Sequence, residues 1–333
     1  MPPSAEEIFK EISLIRPPFI IWTGDEIEGY DDTTAEADAE YKDFLSLAAV
    51  AQTPVFGIPG NHEISFDPAL QAVYMADIGP LYGSFDYDGS HFIGLDSTPI
   101  EADGKIHEGT IDPDQLAWLK ADLSANQTAN NIFVFFHHYM YGPADPDAAT
   151  PSDTGFADPA ERDMLHQLFV QYHVRAVFNG HSHCSYHVQK DGVDYYIAGN
   201  AGAPMDVDPE DGGYLGYNLV TVSGSKATVR NLIPWTLLTR TISGNDGVST
   251  TAQIAVSAYC HGNIDLRGVT VSMPQSPSYT ATALTRYKGK SPAADVSVVN
   301  VAPGSNGTSE VTLDVPAKSA RTTYITLTTA NSK

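Results

Sequence analysis

Asp25, Asn61, His62, His137, His181 and His183 are the residues of this chain whose types and spacing point to chemistry. They fall in four short segments, Gly24-Asp25, Gly60-Asn61-His62-Glu63, His137-His138 and Gly180-His181-Ser182-His183. Each segment follows an apolar run that reads as a buried strand: Phe19 to Trp22, Pro54 to Ile58, Asn131 to Phe136 and Val174 to Phe178. Strand ends in an α/β sheet gather side chains at one place. A carboxylate, a carboxamide and three of the four imidazoles, those of His137, His181 and His183, gathered there are the makeup of a metal centre. Such mixed O/N ligation favours borderline divalent ions such as Mn, Fe, Zn or Co over Ca.

The elements that must position these residues are legible in outline. Ser4 with Glu7 reads as a capping box for a helix over 4–15, with Ile8, Phe9, Ile12 and Ile15 on one face, and Pro17-Pro18 ends it. A helix feeding the Phe19 to Trp22 strand looks like half of a βαβ unit, so a strand is expected before Met1. The chain therefore reads as an N-terminally incomplete form of a longer protein, and the lack of a signal peptide says nothing about secretion. A helical pattern runs from Ala35 to Gln52 with Tyr41, Phe44, Leu45 and Leu47 on its buried side. Helices are also expected over 113–124, with Pro at the start, and over 160–172. Further strands are expected over 91–95 and 193–198. A long Asp/Pro/Ala loop from Tyr141 to Ala157 is placed to shape a cleft or to face solvent.

Strands alternating with helices imply an α/β sandwich for residues 1–235, with strands over 214–222 and 227–232 closing its second sheet. Beyond Leu237 helical periodicity gives way to Thr, Ser and Val in alternation, which predicts a small all-β sandwich-like domain over 240–333. The boundary is expected between 235 and 245, around Ser243-Gly244-Asn245-Asp246-Gly247.

The order and wording of the four segments resemble the calcineurin-like metallophosphoesterases, the family that includes the purple acid phosphatases. Its signature runs Asp-x-His, Gly-Asp, Gly-Asn-His-[Glu/Asp], His, Gly-His-x-His. The last four blocks are present here, the first is absent, and the likeness covers residues 1–233. The resemblance implies two packed mixed sheets flanked by helices, and two divalent transition metals in the complete protein. It implies Asp25 as the bridging carboxylate, Asn61, His137 and His181 on one metal, and His183 on the other together with the missing Asp-x-His pair. His62 would assist departure of the leaving group, and His138 would support the ligands from behind. The tyrosine that purple acid phosphatases carry three residues after the Gly-Asp aspartate is Glu28 here, with Tyr30 the nearest tyrosine, so a purple Fe(III) centre is not expected. Asp96, in Leu95-Asp96-Ser97, reads as structural.

A net charge of −23, from 41 acidic and 18 basic residues, argues against capture of a nucleic-acid backbone. Bound cations can reverse the local sign, which keeps a small phosphate ester admissible as substrate. No apolar run approaches the ~20 residues of a membrane helix. The two cysteines, Cys184 and Cys260, make no metal-binding or redox pair, and Cys184 reads as a packing residue. The acidity suits salty or extracellular surroundings, so a secreted or periplasmic location is favoured.

The expected activity is hydrolysis of a phosphomonoester by a hydroxide activated between two metals. The alternatives are a phosphodiesterase, sphingomyelinase-like or of cyclic-nucleotide type, and a non-catalytic one-metal relative acting as a binding module.

Overall fold

The structure, a computed structural model, describes residues 2–30, 32–64, 67–100, 104–143, 155–260, 262–286 and 290–330. It divides into two compact units, one of residues 1–5, 19–48 and 54–233, the other of residues 6–18, 49–53 and 234–333. Among the described residues no helix is long and apolar enough to cross a membrane.

In chain order, helix α1 (Pro3–Ile15) is followed by β1 (Ile20–Trp22), α2 (Thr34–Ala48), β2 (Val55–Gly57), the single turn α3 (Asn61–Ile64) and α4 (Pro68–Asp77). Next come β3 (Gly83–Tyr87), β4 (Ser90–Gly94), α5 (Pro113–Ala125), β5 (Asn131–Phe135), α6 (Pro159–Gln171) and β6 (Ala176–Asn179). The hairpins β7 (Ser185–Lys190) with β8 (Val193–Ala198), and β9 (Tyr217–Ser223) with β10 (Lys226–Leu232), complete the first unit. Helices α4, α5 and α6 share one start: an Asp before a Pro, its side chain accepting from a backbone N–H of the first turn, as Asp67, Asp112 and Asp158 do at 2.7–2.8 Å. The Asp satisfies a donor the helix leaves unpaired, and the Pro lacks the N–H that would otherwise be orphaned.

Six strands form one mixed sheet in the order β3-β4-β5-β6-β8-β7, with β4, β5, β6 and β8 running parallel. Alternation within β5 explains why both faces are covered. Phe133 and Phe135 point to the side of Phe92 and Phe178, while Ile132 and Val134 point to the side of Leu119 and Leu123 from α5 and of Leu165 and Phe169 from α6. On the phenylalanine side the rings stack across strands, Phe85 on Phe92 at 5.0 Å, Phe135 on Phe178 at 5.2 Å and Phe178 on Tyr196 at 5.1 Å. Ile21, Val220, Val222, Ala227 and Val229 cover that side.

This covering layer is divided. β1 pairs in parallel with β2, and β9 pairs with β10, so the two expected C-terminal strands close no larger sheet. Apolar packing onto the phenylalanine face requires no hydrogen-bonded continuity between the pairs. Three further expectations are corrected. α1 begins at Pro3, which puts Ser4 inside the helix, where its hydroxyl donates to the Ala201 carbonyl at 2.5 Å instead of forming a capping box. α2 ends at Ala48, and its buried side is Ala37, Tyr41, Phe44 and Ala48; Leu45, four residues after Tyr41, lies at the edge of that stripe and is exposed. Ser243 to Gly247, read as a linker, begins at the end of a strand of the second unit and leads into the next.

The second unit comprises β11 (Leu237–Ser243), β12 (Thr251–Ala258), β13 (Ile264–Pro274), β14 (Tyr279–Arg286), β15 (Ala293–Ala294), β16 (Ser297–Pro303), β17 (Thr308–Ala317) and β18 (Arg321–Thr329). They form two antiparallel sheets, β11-β12-β18-β14-β15 and β13-β17-β16. Period-two burial is clean where the sequence alternates: Val311, Leu313 and Val315 are buried on β17, and Ile325 and Leu327 on β18. Residues 6–18, which include all of α1 after its first three residues, belong to this unit, although the helix was expected to serve the first. The buried Glu11 carboxylate accepts from Leu237 N at 2.7 Å, which ties α1 to the start of β11.

Asp96, read as structural, is buried after β4. Gln115 on α5 accepts from Asp96 N at 2.8 Å and donates to Asp96 O at 2.9 Å, while Asp96 Oδ1 accepts from Thr98 N at 2.7 Å. Burial pushes this carboxyl up to about 7. The folded state then holds a proton that the unfolded chain, with an ordinary aspartate near 4, has released, so this group's contribution to stability falls as pH rises from about 4 to 7. Asp96→Asn is expected to flatten that fall and to raise stability above pH 7 by a few kcal/mol at most, at about 1.4 kcal/mol for each tenfold change in proton affinity. Urea unfolding at pH 5 and pH 8 checks it; equal slopes of stability against pH in both proteins would refute it.

Candidate metal centre

The site is assembled at the C-terminal ends of two parallel strand pairs. β1 and β2 run side by side in the register Ile20 to Val55 and Trp22 to Gly57, so the segments that leave them, carrying Asp25 and Asn61, emerge together. β5 and β6 do the same for His137 and His181, and the ladder is prolonged by Phe136 N to Phe178 O and Gly180 N to His137 O. Gly24 has φ +97, and a Cβ there would run into His137 Nδ1, so glycine is required at this turn. Asp25 and His181 also have positive φ, 58° and 66°, a conformation uncommon outside glycine and found where surrounding structure over-determines it.

Four donor atoms converge. His137 Nε2 lies 3.0 Å from Asn61 Oδ1, 3.0 Å from His181 Nδ1 and 3.2 Å from Asp25 Oδ1, and His181 Nδ1 lies 2.9 Å from Asn61 Oδ1. His137 is fully buried, and its Nδ1 stands 2.7 Å from the Thr23 carbonyl. A carbonyl can only accept, so Nδ1 carries a proton and Nε2 is the nitrogen turned to the other three atoms; burial pushes this imidazole's pKa down, but the charge of Asp25 and its hydrogen bond outweigh that and raise it above the ordinary value. Burial, with His137 beside it, brings His181 down to about 3, leaving that imidazole neutral. Burial alone would push Asp25 up, but the charge and hydrogen bond of His137, followed by His62, outweigh it and hold the carboxyl below its usual range. Once the Nε2 proton of His137 is released, the set is one anion and three neutral lone-pair donors facing one another, and a cation suits it better than hydrogen bonds do.

Glu63 closes the Gly-Asn-His-Glu segment, and its residue type alone assigned it no task. It is fully buried, and its carboxylate accepts from four backbone N–H groups: Asp25 at 2.9 Å and Gly60 at 2.7 Å on Oε2, Glu26 at 2.7 Å and Ile27 at 3.3 Å on Oε1. It therefore ties the loop of Asp25 to the loop of Asn61. Burial and then the Asp25 charge push its pKa up. The available signal was its position two residues after a metal-type Asn at the start of a helical turn, where free N–H groups lie within reach of an acidic side chain.

The other candidates take different places. His62 turns its Nδ1 to the Glu28 carbonyl, with Tyr30 edge-to-face at 4.6 Å. His138 is buried, hydrogen-bonded through Nδ1 to Ser97 Oγ at 2.9 Å, with its ring 4.5 Å from that of His181. His183 stands outside the group of Asp25, His137 and His181, whose ligand atoms lie within 4.8 Å of one another. Its Nδ1 meets the Pro204 carbonyl at 2.8 Å, and its backbone N–H donates to Asp206 at 3.0 Å. His166 bonds Tyr195 and Asp191, His187 bonds Asp194 and stacks on Tyr196, and Cys184 is buried beside Tyr139 and Ile197. His261 and residues 144–154 of the expected long loop lie outside the described residues.

Comparison with known proteins accords with this geometry. A family model described as calcineurin-like phosphoesterase matches residues 2–185, more than half of the 333. This chain belongs to the calcineurin-like phosphoesterases, a metal-dependent family. A probable cyclic nucleotide phosphodiesterase of Rhodococcus erythropolis is 28% identical over 204 residues, which are 60% of this chain and 63% of that relative. The chain thus spans under two thirds of that relative's length. Among solved structures, GAP50, the anchor in the inner membrane complex of Plasmodium, is similar with a TM-score of 0.53 at 13% identity, over 70% of this chain and 79% of that one, a likeness of fold. A dimetal phosphatase from Danio rerio aligns at 14% identity and a TM-score of 0.46, over 69% of this chain and 88% of that one.

Proposed function

We propose that this chain is a metal-dependent hydrolase of a small phosphodiester, with Asp25 Oδ1, Asn61 Oδ1, His137 Nε2 and His181 Nδ1 holding a divalent transition metal. The observation that carries the reading is the convergence of those atoms, with Asn61, His181 and Asp25 each 3.0–3.2 Å from His137 Nε2. Such a metal supplies a nucleophile at neutral pH and neutralises charge on the phosphoryl oxygens. Thr23 O and Glu63 hold the ligands in register, so that little reorganisation is left for the reaction itself. His62 Nε2, the nitrogen not engaged by Glu28, is the proton donor to the departing oxygen. Asp25 and His183 are the donors this chain offers to a second ion.

A diester is chosen over the phosphomonoester expected from the sequence on grounds of charge. The chain carries a net −23, and a monoanionic diester is repelled less than a dianionic monoester. The named activity of the Rhodococcus relative supports the same choice.

The test is metal content per chain, measured with hydrolysis of bis-p-nitrophenyl phosphate and p-nitrophenyl phosphate after loading with Mn, Zn, Fe or Co. Bound metal, faster turnover of the diester, and a His62→Ala variant that keeps its metal while losing about 100- to 10,000-fold in kcat are the expected results. Faster turnover of the monoester would restore the phosphomonoesterase reading. No turnover of either ester with metal bound would overturn the hydrolase and leave the binding module.

A further inference from the structure

Glu28, Gly29 and Tyr30 enclose His62 on more than one side. The Glu28 carbonyl receives the Nδ1 proton of the imidazole, and the Tyr30 ring stands edge-to-face with it, centroids 4.6 Å apart and planes at 84°. Gly29 has φ +67, and a Cβ on it would collide with the His62 carbonyl oxygen, so the two backbones are in direct contact there. The segment is anchored from its far side, where Glu28 N donates to Glu40 on α2 at 2.7 Å. Tyr30 is 51% exposed, which for a large aromatic ring marks a place at a surface and not in the core.

We propose that residues 28–30 are the holder of the proton donor, with Tyr30 a positioning residue that sets the plane of the His62 ring. This rests on the hydrolase reading given above. The physical need is plain: His62 belongs to a helix of four residues, and a single turn has no cooperative rigidity of its own to fix a side chain. The carbonyl holds one nitrogen in the ring plane, and the perpendicular aromatic ring limits rotation out of it. Together they fix the plane of the ring and commit Nδ1, which holds the imidazole in one tautomer. Proton transfer is sensitive to that aim, because a misplacement of an ångström costs orders of magnitude in rate. Neither partner shows in the sequence as a catalytic motif, since one is a main-chain oxygen and the other a tyrosine five residues after Asp25.

The consequence is selective. A poorly aimed donor matters most when the leaving group is a poor one, because a good leaving group departs without its proton. We expect Tyr30→Leu to lower kcat for methyl phenyl phosphate by about 10-fold or more, while kcat for methyl p-nitrophenyl phosphate changes by less than about 3-fold and neither KM moves. Tyr30→Phe, which keeps the ring, restores wild-type behaviour. Imidazole 15N NMR of the metal-free protein is the second readout: wild type and Tyr30→Phe should show His62 as the Nδ1–H tautomer with carbon-bound protons displaced by the tyrosine ring current, and Tyr30→Leu should lose that displacement.

Equal losses with both esters, or His62 resonances unchanged in Tyr30→Leu, would overturn the inference. A wild type that hydrolyses neither ester would overturn the hydrolase reading, and the NMR comparison would then decide the holder by itself.

Discussion

Asp25→Asn is expected to lower hydrolysis of bis-p-nitrophenyl phosphate by about three orders of magnitude or more, with loss of bound metal, since metal stabilisation of the transition state is worth several kcal/mol and each 1.36 kcal/mol is tenfold. The substitution keeps shape and changes charge. Asp25 is the one anion among the four converging donors, the others being a carboxamide and two imidazoles. An amide in its place contributes no charge to a cation. Its NH2 would also face His137 Nε2, now 3.2 Å from Asp25 Oδ1, and donate to that lone pair, closing the centre with a hydrogen bond. Metal content by plasma emission spectroscopy and kcat, with circular dichroism as the folding control, check the expectation. A variant that keeps both its metal and its rate would remove Asp25 from the ligand set.

Glu63→Gln should cost stability despite being isosteric. Each carboxylate oxygen accepts two backbone N–H groups, so whichever way the amide is turned, its NH2 confronts a pair of donors. Buried donors left without acceptors cost about 1–3 kcal/mol each, which for the pair predicts a loss of about 2–6 kcal/mol. For a unit of this size that is roughly 4–24 °C in Tm, at about 2–4 °C per kcal/mol. Activity should fall with it, because the same bonds keep the Asp25 and Asn61 loops together. Glu63→Asp, shorter by one methylene, cannot span both loops and should resemble Gln. Differential scanning calorimetry of the metal-free protein isolates the effect from ligand binding. A Tm within about 2 °C of wild type, against the fall predicted for buried unsatisfied donors, would show that the N–H groups find other acceptors.

The ligand types were legible because metal chemistry restricts them to few residues, and because each follows a short apolar run. Asp25, Asn61, His137 and His181 are brought together by the pairing of β1 with β2 and of β5 with β6. What supports them was not legible. Thr23 and Glu28 act through carbonyl oxygens, which every residue possesses, and Tyr30 acts through the face it turns to His62. Glu63 was visible, but its four hydrogen bonds reach backbone from two loops more than 30 residues apart. The same distinction runs through the fold. Local patterns predicted β5, α5 and α6, whose elements need only neighbours within a strand or a turn. They misplaced the partners of α1, because an apolar helix face records that something covers it and not what does: Glu11 and Leu237, 226 residues apart, meet only in three dimensions.

Residue chemistry and local periodicity therefore determined the class of centre and most of the elements, for both depend on neighbours within a turn or a strand. The tertiary structure decided which donor atom of each ligand faces inward, which carboxylate binds backbone in place of metal, and which unit α1 joins. Those outcomes depend on long-range hydrogen bonds and burial, where the free energy of one contact is set by groups far away in the chain.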